Sequence, residues 1–327
     1  MKHPILTAPT PDRAATPSGL SSLAGRSVLS LCDLSATEIR AVLDLAKSLK
    51  RDYAPWRTAM SQRSAVLLFE KPSLRTRVSF EIGIAKLGGA MVFLDHQNNP
   101  IGERETVSDY GRNLERWTDC LVARVYRHAT LEALRNATRV PVINALSELC
   151  HPCQILADAL TLEEHGVDLA SMRLAWLGDG NNVCHSLIEL TAIFGGSITV
   201  ITPRGYEPCS KVVGQAQAAA AATGARISLT NDPAAVRGAD AVYTDTWVSM
   251  GQQKDAAKLA AMQALQVNAD LMRTAGSHTL FMHCLPAHRG EEVTDEVIDS
   301  NRSVVFDQAE NRMHAQNALL LLVLGLA

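Results

Sequence analysis

This chain of 327 residues has few aromatic residues, a small net charge and no long apolar run. Aromatic side chains make up 5% of the sequence, so the predicted core is filled by Ala, Leu, Val and Ile. The formal net charge is only −3 and like charges are not grouped, which argues against a nucleic-acid partner. The longest apolar stretch starts at Ala318 and is far shorter than the roughly 20 residues of a membrane span. It therefore predicts a buried terminal helix and no membrane partner.

The sequence also lacks an export signal and a paired pattern of cysteines. Residues 1–24 begin with a segment rich in Pro, Thr and Ala and contain no apolar run that would serve as a signal peptide, so we expect a flexible arm. The seven cysteines are odd in number and scattered along the chain. Such usage is typical of free thiols in a reducing compartment, and a cytoplasmic protein is expected.

Short β-branched runs alternate with helical patterns from about Gly25 onward. This order is typical of βαβ units and predicts an α/β fold with two lobes, each a mostly parallel sheet flanked by helices, and the active site in the cleft between them. We expect the first lobe at 25–164, the second at 165–310, and a C-terminal helix at 311–327 that packs back on the first. The strands are predicted at 64–69, 90–95, 120–125, 141–146, 173–178, 197–202, 241–246, 279–284 and 303–307.

Hydroxyl and guanidinium groups follow the first predicted strand. The segment Ser73-Leu74-Arg75-Thr76-Arg77 leads into an amphipathic run, so its side chains and free backbone N–H groups meet at a helix N-terminus. That combination suits a phosphate dianion. The alternative is a serine that caps the helix beside solvated arginines.

Two further polar groups follow the third and fourth strands. Arg124 ends an otherwise apolar strand, where either an anionic ligand or a structural salt bridge would compensate its charge. The segment 150–154 (CHPCQ) opens a helix, and it either presents His151 and Gln154 to the same cleft or forms a redox or metal-binding cysteine pair. A zinc site would need two more ligands at metal spacing, and the sequence contains no second motif of that kind.

The second half of the chain carries further polar clusters at strand ends. The turn 178–182 (GDGNN) lacks the third glycine of a dinucleotide-binding motif, so its amide side chains suit a small polar ligand better than a pyrophosphate. Asp245 precedes a loop that reaches Gly251, and a carboxylate there can bind an ammonium group. Cys284 stands beside a histidine at another strand end, where it is either a packing residue or part of a site. Arg312 adds one more cation.

Together these clusters resemble the aspartate/ornithine carbamoyltransferases, along nearly the whole chain from about residue 25. The segment 73–77 resembles the family's phosphate loop, and 151–154 (HPCQ) resembles its HPxQ motif. Three segments are similar to the ornithine-specific branch: 178–182, 245–251 with its Ser-Met-Gly, and 283–286 (HCLP). The resemblance implies transfer of the carbamoyl group of carbamoyl phosphate to the side-chain amine of L-ornithine, giving L-citrulline and phosphate for arginine biosynthesis.

The resemblance also implies roles for individual residues, and it implies no metal or organic cofactor. It makes 25–164 the carbamoyl-phosphate-binding domain and 165–310 the ornithine-binding domain, in a homotrimer or a multiple of trimers. The implied catalytic residues are Cys284, Arg124, His151 and Asp245. The implied ligands of carbamoyl phosphate are Ser73, Leu74, Arg75, Thr76, Arg124, His151, Gln154, Cys284, Leu285 and Arg312, and those of ornithine are Asn182, Asp245, Ser249 and Met250.

The sequence departs from the family pattern at two positions. Leu74 stands where a threonine is usual, which changes little if this position binds phosphate through its backbone N–H alone. Pro100 stands where many relatives have a glutamine that reaches the donor in the neighbouring subunit. The same region helps to select N-acylated ornithines in related transferases. The alternatives are therefore an acylated ornithine or another amine as acceptor, or a non-catalytic paralogue of the family.

Overall fold

The computed structural model describes residues 23–248 and 255–327. These residues fold into two parallel β-sheets flanked by helices, which confirms the predicted α/β fold of two lobes. The expected arm at 1–24 lies outside the described residues, apart from its last two positions. Within the described part of the chain, no helix is both long and apolar enough to cross a membrane.

The first lobe is a four-stranded parallel sheet with helices on both faces. Its elements are, in chain order, α1 (Ala36–Arg51), β1 (Ser64–Phe69), α2 (Leu74–Lys86), β2 (Ala90–Asp95), α3 (Val107–Leu114), β3 (Cys120–Arg124), α4 (His128–Ala137), β4 (Val142–Leu146) and α5 (Pro152–Glu164). The strand order is β2-β1-β3-β4. Neighbouring side chains of β1, such as Leu67 and Leu68, enter two different core clusters, as expected for a strand covered on both faces.

The second lobe is a five-stranded parallel sheet. Its elements are β5 (Arg173–Leu177), α6 (Asn182–Phe194), β6 (Ser197–Ile201), α7 (Ser210–Thr223), β7 (Arg226–Thr230), β8 (Ala241–Thr244), α8 (Ala256–Met262), α9 (Ala269–Ala275), β9 (Leu280–His283), α10 (Asp295–Ile298) and α11 (Val305–Val323). The strand order is β7-β6-β5-β8-β9, so the chain changes direction across the sheet between β5 and β8. Ligands of such sheets bind outside the carboxyl ends of the strands at this change of direction.

The last helix connects the second lobe to the core of the first. α11 contacts β9 at its start and then packs against α1, α2 and α5. The four leucines 319–322 have no exposed surface, so the helix is apolar on all sides over this stretch. The helix begins at Val305, earlier than the position 311 expected from the sequence.

Eight of the nine predicted strands are present with ends within two residues, whereas the strand predicted at 303–307 is wrong. In that segment only Ser303 forms an isolated bridge, to Phe281, before α11 begins. Val304 and Val305 are buried where the helix starts, so packing overrides the β propensity of the Val-Val-Phe run. The edge strand β7 escapes prediction because its residues are mostly exposed and show no clear apolar alternation.

Candidate active site

A cleft of 660 Å³ lies between the two lobes. Its walls are the segments that directly follow β1, β3 and β4 in the first lobe and β5, β8 and β9 in the second. Ser249 and Met250 lie outside the described residues. Every other residue with an implied role lines the cleft: Ser73, Leu74, Arg75, Thr76, Arg124, His151, Gln154, Asn182, Asp245, Cys284, Leu285 and Arg312.

The first turn of α2 forms one end of the cleft. Ser73 caps this helix, since its Oγ accepts a hydrogen bond from the Thr76 N–H at 3.2 Å. Leu74 has a side chain that is 75% exposed, so its backbone N–H is the polar group that this position offers. Arg77 is exposed and pairs with a glutamate one turn later at 2.8 Å. The solvated alternative therefore fits Arg77 but not Arg75, which is half-buried in the cleft wall.

Three guanidinium groups, those of Arg75, Arg124 and Arg312, lie at this end of the cleft. Among the described residues none of them pairs with a carboxylate. Arg124 is 5% exposed and its Nε has no hydrogen-bond partner in the described part of the chain, while burial and the neighbouring Arg312 lower the pKa of its guanidinium to about 9. Arg312 donates to Gln154 Oε1 at 2.5 Å and to Thr76 Oγ1 at 3.1 Å. The salt bridge considered for Arg124 is thus not formed, and the three cations favour an anionic ligand.

His151 precedes α5 and buries its imidazole in the same wall. It is 4% exposed, and its Nδ1 has no hydrogen-bond partner among the described residues. Burial, followed by the charges of Arg312 and Arg124, holds the pKa of this histidine well below its usual value, so the imidazole is neutral at pH 7. A neutral imidazole can donate one N–H to a carbonyl oxygen of a ligand.

The two cysteines of the CHPCQ segment face different partners. Cys150 donates from Sγ to Glu189 Oε1 at 3.5 Å, whereas Cys153 donates from Sγ to the carbonyl oxygen of Asn144 at 3.4 Å. Burial raises the pKa of both thiols, that of Cys153 to about 12. Protonated thiols with separate partners are poor metal ligands and poor nucleophiles, so the redox and metal alternatives for this motif find no support.

A carboxylate and a thiol also line the cleft, near the arginines. The Cys284 thiol donates to Asp245 Oδ1 at 3.1 Å. Burial, followed by the charge of Asp245, raises the pKa of the Cys284 thiol well above its usual value. Cys284 is therefore a neutral thiol in this state, and Asp245 offers the carboxylate that can attract an ammonium group.

The HCLP segment is held by a buried histidine. His283 Nδ1 accepts a hydrogen bond from the Leu285 N–H at 2.8 Å, and its Nε2 lies 3.1 Å from Glu292 Oε1. Leu285 has a φ of 56°, a left-handed conformation that is uncommon outside glycine. Because the Leu285 N–H is already bonded, its backbone offers a ligand the carbonyl oxygen, which suits a ligand with N–H donors.

The turn 178–182 uses one amide side chain to reach the first lobe and the other to hold Asp245 in the second. Asn182 donates from Nδ2 to the carbonyl oxygen of Ser147 in the first lobe at 2.7 Å. Asn181 caps α6 through its Oδ1 and donates from Nδ2 to Asp245 Oδ2 at 2.8 Å. Sequence-based prediction assigned a role to Asn182 and missed Asn181, although their adjacency was a signal that either could face the ligand.

The central glycine of this turn has a packing role. A Cβ atom at Gly180 would lie 2.2 Å from the backbone nitrogen of Pro208, so no larger residue fits there. This close approach accounts for the glycine without a bound dinucleotide. It agrees with the incomplete glycine motif in the sequence.

Lys71 is a further cation at the arginine end that sequence-based prediction missed. It is 9% exposed, and its Nζ lies 4.8 Å from the centroid of the Tyr126 ring. Burial, followed by the charge of Arg124, lowers the pKa of this lysine. Its position just before the phosphate-loop segment was the available signal.

This fold and cleft define a class: a two-lobed α/β protein whose cleft offers arginines to an anionic ligand and a carboxylate to a cationic group. Two family models match the chain. The carbamoyl-P binding domain of aspartate/ornithine carbamoyltransferase matches residues 26–164, and the Asp/Orn binding domain matches residues 170–323. The chain belongs to the aspartate/ornithine carbamoyltransferase family, and it is a carbamoyltransferase.

Similar proteins and solved structures carry the name ornithine carbamoyltransferase. One from Shewanella oneidensis is 52% identical over 294 residues, which cover 90% of this chain and 97% of the relative. The anabolic enzyme of Pyrococcus furiosus is 46% identical over 308 residues, 93% of this chain and 98% of the relative. The structure from Pyrococcus furiosus matches with a TM-score of 0.89 at 46% identity, over 93% of this chain and 98% of that one. The structure from Thermus thermophilus matches with a TM-score of 0.81 at 44% identity, over 90% and 97%.

Proposed function

We propose that this carbamoyltransferase is an ornithine carbamoyltransferase, which transfers the carbamoyl group of carbamoyl phosphate to the side-chain amine of L-ornithine and releases L-citrulline and phosphate. The observation that carries the proposal is the charge distribution of the cleft. The cleft holds three arginines that pair with no carboxylate among the described residues, and beside them Asp245 with its thiol neighbour. The names of the similar proteins support the same acceptor.

The phosphate of the donor binds at the N-terminus of α2 in this proposal. The backbone N–H groups and hydroxyls of Ser73, Leu74, Arg75 and Thr76 converge there with the guanidinium groups of Arg75, Arg124 and Arg312. Free N–H groups at a helix start and fork-shaped guanidinium groups both suit phosphate oxygens. A bound dianion supplies the negative charge that the three arginines lack in the free enzyme.

The carbamoyl group then lies beside His151 and Gln154. When the uncharged amine attacks the carbamoyl carbon, the bond to the phosphate oxygen breaks, and negative charge grows on the carbonyl oxygen and on the leaving phosphate. Donors fixed at these places stabilise the transition state more than the ground state. The donors to the carbonyl oxygen are the neutral imidazole of His151, the Thr76 hydroxyl and the Arg124 guanidinium. Gln154 and the backbone carbonyls of 284–285 accept from the carbamoyl NH2.

Ornithine binds beside Asp245 in this proposal, through Asn182, Asp245, Ser249 and Met250. The Cys284 thiol keeps its proton and donates it in a hydrogen bond to Asp245. The sulfur lone pairs therefore remain free to accept a hydrogen bond from the attacking amine. Cys284 therefore orients the amine, while the Asp245 carboxylate helps to remove its proton. Neither step requires a metal or an organic cofactor.

The test is a citrulline assay with the purified protein. Carbamoyl phosphate and L-ornithine should yield citrulline and phosphate in equal amounts, whereas N-acetylornithine and putrescine should yield little product. Turnover only with one of these two analogues would overturn the ornithine assignment and would point to the region around Pro100. No product with any amine would favour the non-catalytic alternative. An Arg75→Ala variant with full activity would show that the reaction does not use this cleft.

The proposed domain functions follow the same charge distribution. Residues 25–164 supply most of the donor site and 165–310 the acceptor site, with Cys284 and Leu285 reaching the carbamoyl group from the second lobe. The segment 311–327 contains the part of α11 up to Val323, and it brings Arg312 from the second half of the chain to the donor site.

We also propose that the chain forms a homotrimer or a multiple of trimers. Three apolar side chains on one face of α2 are solvent-exposed in the single chain: Leu74 at 75%, Val78 at 46% and Ile82 at 49%. The adjacent edge strand β2 exposes Val92 at 54%. An apolar stripe next to an unpaired strand edge is typical of a surface covered by another subunit.

Light scattering tests the assembly. The wild-type protein should have the mass of three chains or a multiple of it, and a Val78→Asp/Ile82→Asp variant should dissociate. Leu229→Asp is the matched control, because Leu229 is 45% exposed in the second lobe, and this variant should keep the wild-type mass. An active wild-type monomer would contradict the proposal.

The proposed setting is the cytoplasm and arginine biosynthesis. Expression of the chain in a bacterial strain that lacks ornithine carbamoyltransferase should allow growth without arginine. If the enzyme is active in vitro but does not support growth, the degradative direction is favoured. Cell fractionation should recover the activity in the cytoplasmic fraction, and recovery in an exported fraction would contradict the proposed location.

A further inference from the structure

Asp158 is a fully buried carboxylate on α5, one helical turn after Gln154, and it lies behind the cleft wall. It accepts three hydrogen bonds from three different elements. Gln154 Nε2 and Gln308 Nε2 both donate to its Oδ1, at 2.7 and 2.8 Å, and the Tyr243 hydroxyl donates to its Oδ2 at 2.9 Å. The partners belong to α5, α11 and β8, so this carboxylate connects both lobes with the last helix.

The contact with Asp158 gives the side-chain amide of Gln154 one orientation. The Nε2 atom faces the carboxylate, and the Oε1 atom accepts from Arg312 Nη1 at 2.5 Å. The reversed amide would place oxygen against oxygen and an NH2 group against a guanidinium, so it would lose both hydrogen bonds. Gln154 therefore keeps its acceptor atom on the side of the donor site.

A carbamoyl NH2 group carries N–H donors and needs acceptors around it. Gln154 Oε1 is such an acceptor, whereas Gln154 Nε2 in the same place would repel it. We infer that Asp158 is a positioning residue for the reaction: it fixes the amide of Gln154 so that Oε1 faces the carbamoyl NH2 and distinguishes it from groups that cannot donate. The inference rests on the proposed function, since it takes carbamoyl phosphate as the donor.

The same carboxylate also positions the acceptor side of the cleft. Gln308, held by Asp158 through Nε2, uses its Oε1 to accept from the backbone N–H of His283 at 3.0 Å, directly before Cys284. Tyr243 is two residues before Asp245 in the chain. One buried side chain thus sets the relative position of the donor-binding amide and of both residues at the acceptor end.

The experiment compares two stable ligands that differ in a single group. Phosphonoacetamide carries the NH2 of the donor, and acetonylphosphonate carries a methyl in its place. Binding of each is measured by calorimetry without an acceptor, so the result does not depend on ornithine turnover. The wild-type protein should prefer phosphonoacetamide by about three- to tenfold, the usual effect of one hydrogen bond.

Asp158→Leu removes the acceptor for Gln154 Nε2 and leaves the amide oriented by Arg312 alone, so it should reduce this preference, while the affinity for acetonylphosphonate stays near that of the wild type. Asp158→Asn retains an oxygen for both glutamines and an NH2 that can donate to the Tyr243 hydroxyl, so it should restore the preference. Tyr243→Phe is the matched control, because it removes one hydrogen bond of the same carboxylate without touching Gln154. It should keep the preference.

A purely structural role predicts a different pattern. Equal weakening of both ligands in Asp158→Leu, or an unchanged preference, would overturn the inference. If the leucine variant does not fold, Asp158→Ala is measured with the same pair of ligands, since water can then bond the three donors. A wild-type protein that prefers phosphonoacetamide but makes no citrulline would refute the proposed acceptor and leave the positioning role of Asp158 intact. A wild-type protein without the preference would overturn the inference.

Discussion

Replacing Arg124 should make the free protein more stable and less active. Arg124 is 5% exposed, and among the described residues its Nε has no hydrogen-bond partner and no carboxylate pairs with its guanidinium. Arg312 and Arg75 add further positive charge beside it. The free enzyme therefore keeps a buried cation whose counter-charge is expected only from the ligand, and Arg124→Met removes that cation with a side chain of similar length.

The size of the effect follows from the pKa of Arg124. The pKa of its guanidinium falls from 12.5 to about 9, a difference of about 3.5. At about 1.36 kcal/mol per unit, this corresponds to roughly 5 kcal/mol as an upper value. Because the pKa of a base is lowered, the destabilisation is fully present below pH 9 and disappears as the pH rises towards 12.5. Replacement of buried charges by apolar groups of similar volume typically stabilises by about 1–4 kcal/mol, and a gain in this range is expected at pH 7.5.

Urea unfolding at a fixed protein concentration tests this prediction, with and without inorganic phosphate. Arg124→Met should unfold at higher urea than the wild type, should gain little from phosphate, and should lose about 100-fold or more in rate. Arg124→Lys keeps the charge and should show no gain in stability, and the exposed Arg135→Gln should be neutral. A methionine variant that is less stable than the wild type, or equally stabilised by phosphate, would refute the reasoning.

Three further predictions concern buried or partly buried acids and the cleft thiol. Burial raises the pKa of Glu189 from 4.5 to about 7, so the folded state favours the protonated acid and the wild type loses stability as the pH rises through this window. In urea unfolding, this group should lower the wild-type free energy of unfolding by about 3 kcal/mol between pH 4.5 and 8, and Glu189→Gln should not show that decrease. A variant with the same pH dependence as the wild type would contradict the prediction. Glu70 accepts from the backbone N–H groups of Ile101 at 2.9 Å and Tyr126 at 2.8 Å. Glu70→Ala should destabilise by about 2–4 kcal/mol and Glu70→Gln by less, and equal stabilities would argue against these bonds. Asp245→Asn should speed alkylation of Cys284 by iodoacetamide, measured by mass spectrometry, because Asp245 raises the pKa of this thiol, and a slower reaction would contradict it.

Most of the fold could be predicted from the sequence, because the residues within and next to a strand determine where it begins and ends. β1 was predicted with its observed ends, Ser64–Phe69, since its apolar run is bounded by polar residues on both sides. The edge strand β7 and the start of α11 were not predicted, because exposure and packing against distant elements decide them. Hydrophobic pattern alone carries little information about either.

The site residues could also be predicted only in part from the sequence. Arg75 and Arg124 could be assigned from their places after strands, where free N–H groups and ligands meet. The amide orientation of Gln154 depends on Asp158 in α5 and on Arg312 in α11, two contacts that form only in the folded chain. The neutral state of Cys284 likewise depends on its burial and then on Asp245, which is 39 residues away in sequence. Burial and tertiary contacts, which no motif encodes, decide these chemical states.

The origin of Arg312 in the last helix has a consequence for the order in which the enzyme is made. Residues 23–304 include both sheets but only two of the three guanidinium groups of the donor site. During translation the third arrives with α11, which must leave the ribosome and dock against α1, α2 and α5 before Arg312 reaches Thr76. Until that helix docks, the core of the first lobe lacks the leucines 319–322 and the donor site lacks Arg312, so one docking step completes both the core and the site.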